Sequence, residues 1–107
     1  MRDNWSVLID YQDRQVRLTN ERLEHILAHP EMAGMETLIA ETLRYPQLVR
    51  QSRSDKTAEL YYRFYTQTTI GDKWLCVVVK YLQGDAFIVT AYFTDKPKRG
   101  NTLWQST

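Results

Sequence analysis

The chain carries one cysteine, Cys76, in 107 residues, which excludes an internal disulfide framework. Set inside an apolar run, that cysteine reads as a small buried hydrophobe rather than a nucleophile. No apolar stretch approaches the ~20 residues of a membrane-spanning helix, and Lys80 interrupts the best candidate. The opening segment, residues 1–13, is too short and too acidic for a secretory signal, so a cytoplasmic protein without a membrane partner is expected. Repeats and low-complexity segments are missing. So are a Gly-rich phosphate loop, a dinucleotide-binding fingerprint, a serine-nucleophile elbow and paired carboxylates at a defined spacing. The common nucleotide-binding and serine-hydrolase signatures therefore do not apply.

What is present suits one compact domain over residues 1–107. Apolar residues make up 43% of the chain, enough for a single modest core. The net charge is only +1 but lopsided: residues 1–43 hold four Lys/Arg against eight Asp/Glu, and residues 44–107 hold ten against five. A basic second half is compatible with a polyanion partner, though edge strands also carry Lys and Arg for solubility.

Residues 73–95 organise the rest. Residues 74–82 contain three consecutive valines, residues 86–94 are nearly as apolar, and Gln83, Gly84 and Asp85 lie between them. The pattern predicts two paired antiparallel strands at the centre of a sheet, with Gly84 free to take positive φ. Both faces are apolar, so each should be at least partly covered. Lys80, Thr90, Tyr92 and Thr94 interrupt that pattern, and a lysine there is a rim residue or a functional one.

In chain order, residues 5–11 alternate loosely and read as an opening strand, followed by a turn at Asp13 and Arg14 and a short return strand at 15–18. Thr19 is the expected N-cap of a helix over residues 20–28, with Glu21 in the first turn and Leu18 and Leu23 forming a staple. That helix should stop before Pro30. Leu23, Ile26 and Leu27 share its apolar stripe, while Arg22, His25 and His29 share one flank. A linker at 30–34 leads to a second helix over 35–44. Strands are expected at 48–52 and 59–67, then the central hairpin, then a basic loop at 96–100 and a possible anchor at Leu103 and Trp104. The fold class is α+β: N-terminal strands and two helices packed on a four- to five-stranded antiparallel sheet.

Candidate chemistry is sparse. His25 and His29 are four apart on a helix, a spacing that lets two imidazoles reach one metal, but no third ligand has a fixed spacing, and no metal or cofactor is expected. His29 equally suits a helix C-terminus, where it interacts with the last carbonyls. His25 suits a general acid or base at neutral pH, or plain surface. Arg50, Arg53 and Arg63 could clamp phosphate. Tyr61, Arg63 and Tyr65 alternate with Leu60, Tyr62 and Phe64, and aromatics beside cations on a sheet can stack bases. Thr90, Tyr92 and Thr94 share one face.

The ordered blocks HILAHPEM (25–32), VRQSRSD (49–55), LYYRFY (60–65), WLCVVVKY (74–81) and FIVTAYFTDKPKRG (87–100) resemble the phage barnase–EndoU–colicin–RelE-like nuclease-fold family (PBECR) over about residues 17–104. The resemblance implies a metal-independent endoribonuclease that attacks phosphate with the ribose 2′-OH, of the kind found as the toxin of a toxin–antitoxin pair. It implies RNA as substrate and an antitoxin or immunity protein as partner. In that scheme His25 or His29 is the acid or base, Arg63 and Lys80 stabilise the phosphorane, and Thr90 or Thr94 orients it. Arg50, Arg53, Tyr62, Tyr92 and Lys96 would bind substrate. The near-neutral charge is a departure from strongly basic RNA-cleaving toxins and leaves room for a non-catalytic binding module of the same fold.

Overall fold

A computed structural model describes residues 4–107; the first three residues of the acidic opening segment lie outside the described residues. The elements are β1 (Trp5–Ile9), β2 (Gln15–Thr19), α1 (Asn20–Leu27), a 3-10 turn (Pro30–Met32), α2 (Glu36–Arg44), β3 (Leu48–Gln51), β4 (Ala58–Thr68), β5 (Gly71–Leu82), β6 (Asp85–Thr94) and β7 (Thr102–Gln105). No helix among the described residues is long and apolar enough to cross a membrane.

The α+β class holds, but the sheet is larger and mixed. Seven strands run in the order β1-β2-β6-β5-β4-β3-β7. The β3–β4–β5–β6 meander is antiparallel throughout, whereas β2 meets β6 in parallel through the single register pair Arg17–Phe87. Two features account for the difference from four or five antiparallel strands. The β1–β2 hairpin joins the meander through one bridge, which no hydrophobic period encodes. The tail at Leu103 and Trp104 is a paired strand, β7, but a four-residue exposed strand carries almost no alternation to read.

Local chemistry sets the elements. Thr19 caps α1, its Oγ1 accepting from the Arg22 N–H at 3.1 Å. Leu82 and Asp85 close the β5–β6 hairpin across Gln83 and Gly84, and Gly84 takes a φ of 77° that other residues adopt only at a cost.

The sheet has two unlike faces. On one, Ile26 of α1 and Ile39 and Leu43 of α2 pack on Val16, Leu18, Val49, Tyr61, Leu75, Val77, Val79 and Ile88. On the other, Leu48, Leu60, Tyr62 and Cys76 form a second cluster with Trp74, Val78 and Tyr92 at its margin and no helix of the described residues over it. The β1–β2 turn folds over the helix-bearing face. Asp10, fully buried, accepts from the N–H of Gln12 and of Arg14, from Arg14 Nε at 2.7 Å and from the Tyr81 hydroxyl at 2.7 Å. The Tyr61 and Tyr81 hydroxyls meet at 2.6 Å beside it.

Candidate nucleic-acid interface on the open sheet face

Strand alternation fixes what the helix-free face presents. Arg50 pairs with Leu60, Leu60 with Val78 and Val78 with Thr90; one step along, Tyr62 pairs with Cys76 and Cys76 with Tyr92; then Trp74 pairs with Thr94. The expected sharing of one face by Thr90, Tyr92 and Thr94 is therefore met, and Arg50 and Tyr62 join them. Cys76 is fully buried at its centre, and burial pushes its thiol up to about 11, out of reach of ionisation at neutral pH.

Residues 95–101 return across this face from β6 to β7. The Lys98 N–H donates to the Tyr62 hydroxyl at 3.0 Å, and Arg50 Nη1 donates to the Lys98 carbonyl at 2.6 Å. Thr94 Oγ1 donates to the Lys96 carbonyl at 3.1 Å. The Lys98 ammonium stands 5.6 Å from the Tyr92 ring centroid, within cation–π range. The Lys96, Lys98 and Arg99 side chains are exposed.

Two adjoining clefts lie between this loop and the β3–β4 connection. One, of about 450 Å³, is floored by Leu60, Val78, Thr90 and Tyr92 and edged by Lys98 and Arg99. The other, of about 380 Å³, is lined by Gln51, Lys56, Gly100 and Asn101. Ser52, Arg53 and Arg99 border both. Two donors nearby, Arg50 Nε and the Tyr92 hydroxyl, are buried with no hydrogen-bond partner among the described residues. Burial raises the pKa of the Tyr92 and Tyr62 hydroxyls, so both are neutral and can donate a proton to a hydrogen bond.

Lys80 shares this face but is committed elsewhere. Its ammonium lies 3.1 Å from Asp55, half-exposed at the β3–β4 connection. The Thr57 hydroxyl and N–H, with Lys80, hold the Asp55 carboxyl down at about 2.

The remaining residues singled out in the sequence stand apart. His25 and His29 are exposed on and just beyond α1, with ring centroids 6.5 Å apart, and His25 borders a shallow recess formed with Glu21, Arg22 and Glu24. Their helix packs on the opposite face of the sheet, so the sheet lies between the imidazoles and the clefts at Arg53 and Arg99. Arg63 also belongs to the helix-bearing side: Nη1 donates to the Tyr45 carbonyl at 2.7 Å and Nε lies 3.6 Å from Glu41. The structure thus brings Arg50, Arg53, Tyr62, Thr90 and Tyr92 together, keeps Lys80, Thr94 and Lys96 at the edge of that group, and separates His25, His29 and Arg63 from it. Lys96 is the expected contact from the basic loop, whereas Lys98 and Arg99 stand closest to the clefts. A usable signal was Gly100, which marks where the loop must run tight against β3.

Among the described residues no three His, Cys, Asp or Glu side chains are grouped to hold a metal ion. The chain matches no family model, no curated protein and no solved structure.

Proposed function

We propose that this chain binds single-stranded RNA on the open sheet face, in the clefts that share Arg53 and Arg99. The observation that carries the reading is the pairing of those two exposed guanidiniums with a floor of Tyr92, Thr90 and Val78. A backbone phosphate suits the two cations, and an unstacked base suits the apolar and aromatic floor. The buried donors at Arg50 Nε and Tyr92 are satisfied if an acceptor reaches them. A cytoplasmic setting, where RNA is available, belongs to the same reading.

The second reading is the metal-independent ribonuclease implied by the nuclease-fold resemblance, a toxin held by an antitoxin. Two guanidiniums at one phosphate favour it, because a phosphorane needs cationic stabilisation. It also needs a base for the 2′-OH. Asp55 is ion-paired with a carboxyl titrating near 2, Tyr92 is a donor, and both imidazoles lie across the sheet. Binding without cleavage is therefore the preferred function.

The test is fluorescence anisotropy of a labelled single-stranded RNA, with and without EDTA. Binding should weaken steeply with salt, with a slope of about 0.7 per phosphate contacted, and Arg53→Gln with Arg99→Gln should weaken it about tenfold or more, while His25→Ala leaves it unchanged. Absence of binding at low salt, or indifference to the double substitution, defeats the proposal. RNA fragments ending in a cyclic phosphate would reinstate the enzyme.

A further inference from the structure

A separate cleft of about 450 Å³ opens on the helix-bearing side, at the C-terminal end of α2. Its size lies within the usual range for small-ligand sites. Tyr11, Tyr45 and Trp104 line it, with Arg44 and Arg63 beside them. The chain builds this cleft for local reasons: Pro46 ends the helical path after Tyr45, and Trp104 of β7 pairs with Val49, which turns its ring to the helix-bearing side.

Tyr11 leans on the core, edge-on to Tyr61, but Tyr45 and Trp104 are not consumed by it. Tyr45 is 62% exposed and Trp104 39%. The Tyr11 and Trp104 rings, 5.6 Å apart at 50°, make one continuous wall. Arg44 lies 5.5 Å from the Tyr45 ring centroid and braces that ring from its own side.

Each guanidinium is fixed at Nη1, Arg63 donating to the Tyr45 carbonyl at 2.7 Å and Arg44 to the Asp10 carbonyl at 3.1 Å, but its carboxylate partner holds it weakly. Arg63 Nε lies 3.6 Å from Glu41, longer than a hydrogen bond, and Glu41 already accepts from the Tyr65 hydroxyl at 2.7 Å. Arg44 Nη1 meets Asp13 at 3.0 Å, but that carboxylate is 78% exposed, so the pair is screened by solvent. Nη2 of each guanidinium makes no hydrogen bond to the described residues. The acids at the rim are thus Glu41 and Asp13, neither closing a guanidinium fork.

We propose that this cleft binds a small molecule joining a planar aromatic ring to an anionic group, of the nucleoside monophosphate type. The ring stacks against Trp104 and Tyr45, and the anion takes the open edges of Arg63 and Arg44. This site stands independently of the RNA reading and uses none of its residues.

The experiment is calorimetric titration of the whole chain with adenosine 5′-monophosphate, with adenosine and ribose 5-phosphate as half-ligands. Saturable binding to the wild type is expected, with each half-ligand at least about tenfold weaker. Trp104→Leu and Arg63→Gln should each weaken the nucleotide about tenfold. Tyr45→Ala, at an exposed position that leaves the core intact, should do the same and keeps the test valid if the other two proteins fail to fold. Arg53→Gln should leave the affinity unchanged. No saturable binding to the wild type, or equal affinity for wild type and Tyr45→Ala, overturns the proposal, as does a loss that follows Arg53 instead.

Discussion

Gly100 lies so close to the backbone carbonyl of Gln51 that a Cβ on it would overlap the oxygen. The basic loop is seated by that approach: the Gln51 N–H donates to the Asn101 carbonyl at 2.8 Å immediately beyond it. Backbone cannot yield as a flexible side chain can. Gly100→Ala should therefore cost about 1–3 kcal/mol, the range for overpacking, and should lower RNA affinity by displacing Lys98 and Arg99. Chemical denaturation and anisotropy on the same protein check both halves. A substitution that leaves stability and affinity at wild-type values would show that the loop is not seated this way.

The buried Asp10 carboxylate is the second pressure point. It holds the β1–β2 turn onto β5 through Tyr81 and anchors Arg14, which reaches Glu59 at 3.1 Å. Asp10→Ala should destabilise the fold by about 3 kcal/mol, because it removes at once the acceptor of Arg14 Nε, of the Tyr81 hydroxyl and of the Gln12 and Arg14 N–H groups, while Glu59 still pairs with Arg14 and Tyr61. Tyr81→Phe removes the contacts of that hydroxyl with Asp10 and with Tyr61 and leaves the rest of the network, so it should cost about 1–2 kcal/mol. Urea titration ranks the two, and a reversed order would contradict the network as described.

Asp55 gives a pH signature. Its carboxyl sits at about 2, below the ordinary aspartate value of 3.8, chiefly through the Thr57 hydroxyl and N–H and then through Lys80. A depressed folded value means that its stabilising contribution is complete above about pH 4 and disappears as the pH falls through 2. Carboxyl resonances followed by NMR should show Thr57→Val raising the Asp55 midpoint more than Lys80→Met. A larger effect from the lysine would reverse the assigned order of causes.

Cys76 should be silent. Its thiol is buried with a pKa of about 11, so an aromatic disulfide reagent at neutral pH should label it only at the rate of unfolding. Prompt labelling of the native protein would contradict this burial.

Much of the layout was legible because local rules decide it. The Thr19 cap, the stop before Pro30, the Gly84 hairpin and the alternation through residues 60–65 each depend on neighbours within a few positions, and each is found where the residues put it. The β2–β6 bridge and the docking of β7 on β3 depend on segments tens of residues apart, for which a single sequence offers no period. The same reason governs the site. Alternation correctly grouped Thr90, Tyr92 and Thr94, and separated Tyr62 from Arg63. Which face the α1 histidines would overlook was set by helix docking, and docking put them on the side away from Arg53 and Arg99.

The lone Arg17–Phe87 bridge has a dynamic consequence. Beyond burying Val16 and Leu18 in the core, the first hairpin is joined to the meander by that one ladder bridge, the Arg17–Asp85 ion pair at 2.9 Å and the Asp10 and Arg14 contacts at its tip, whereas β4, β5 and β6 are stitched along their lengths. Amide protons of β1 and β2 should accordingly exchange with deuterium as one cooperative unit, well before those of β5, with the rest of the sheet still closed.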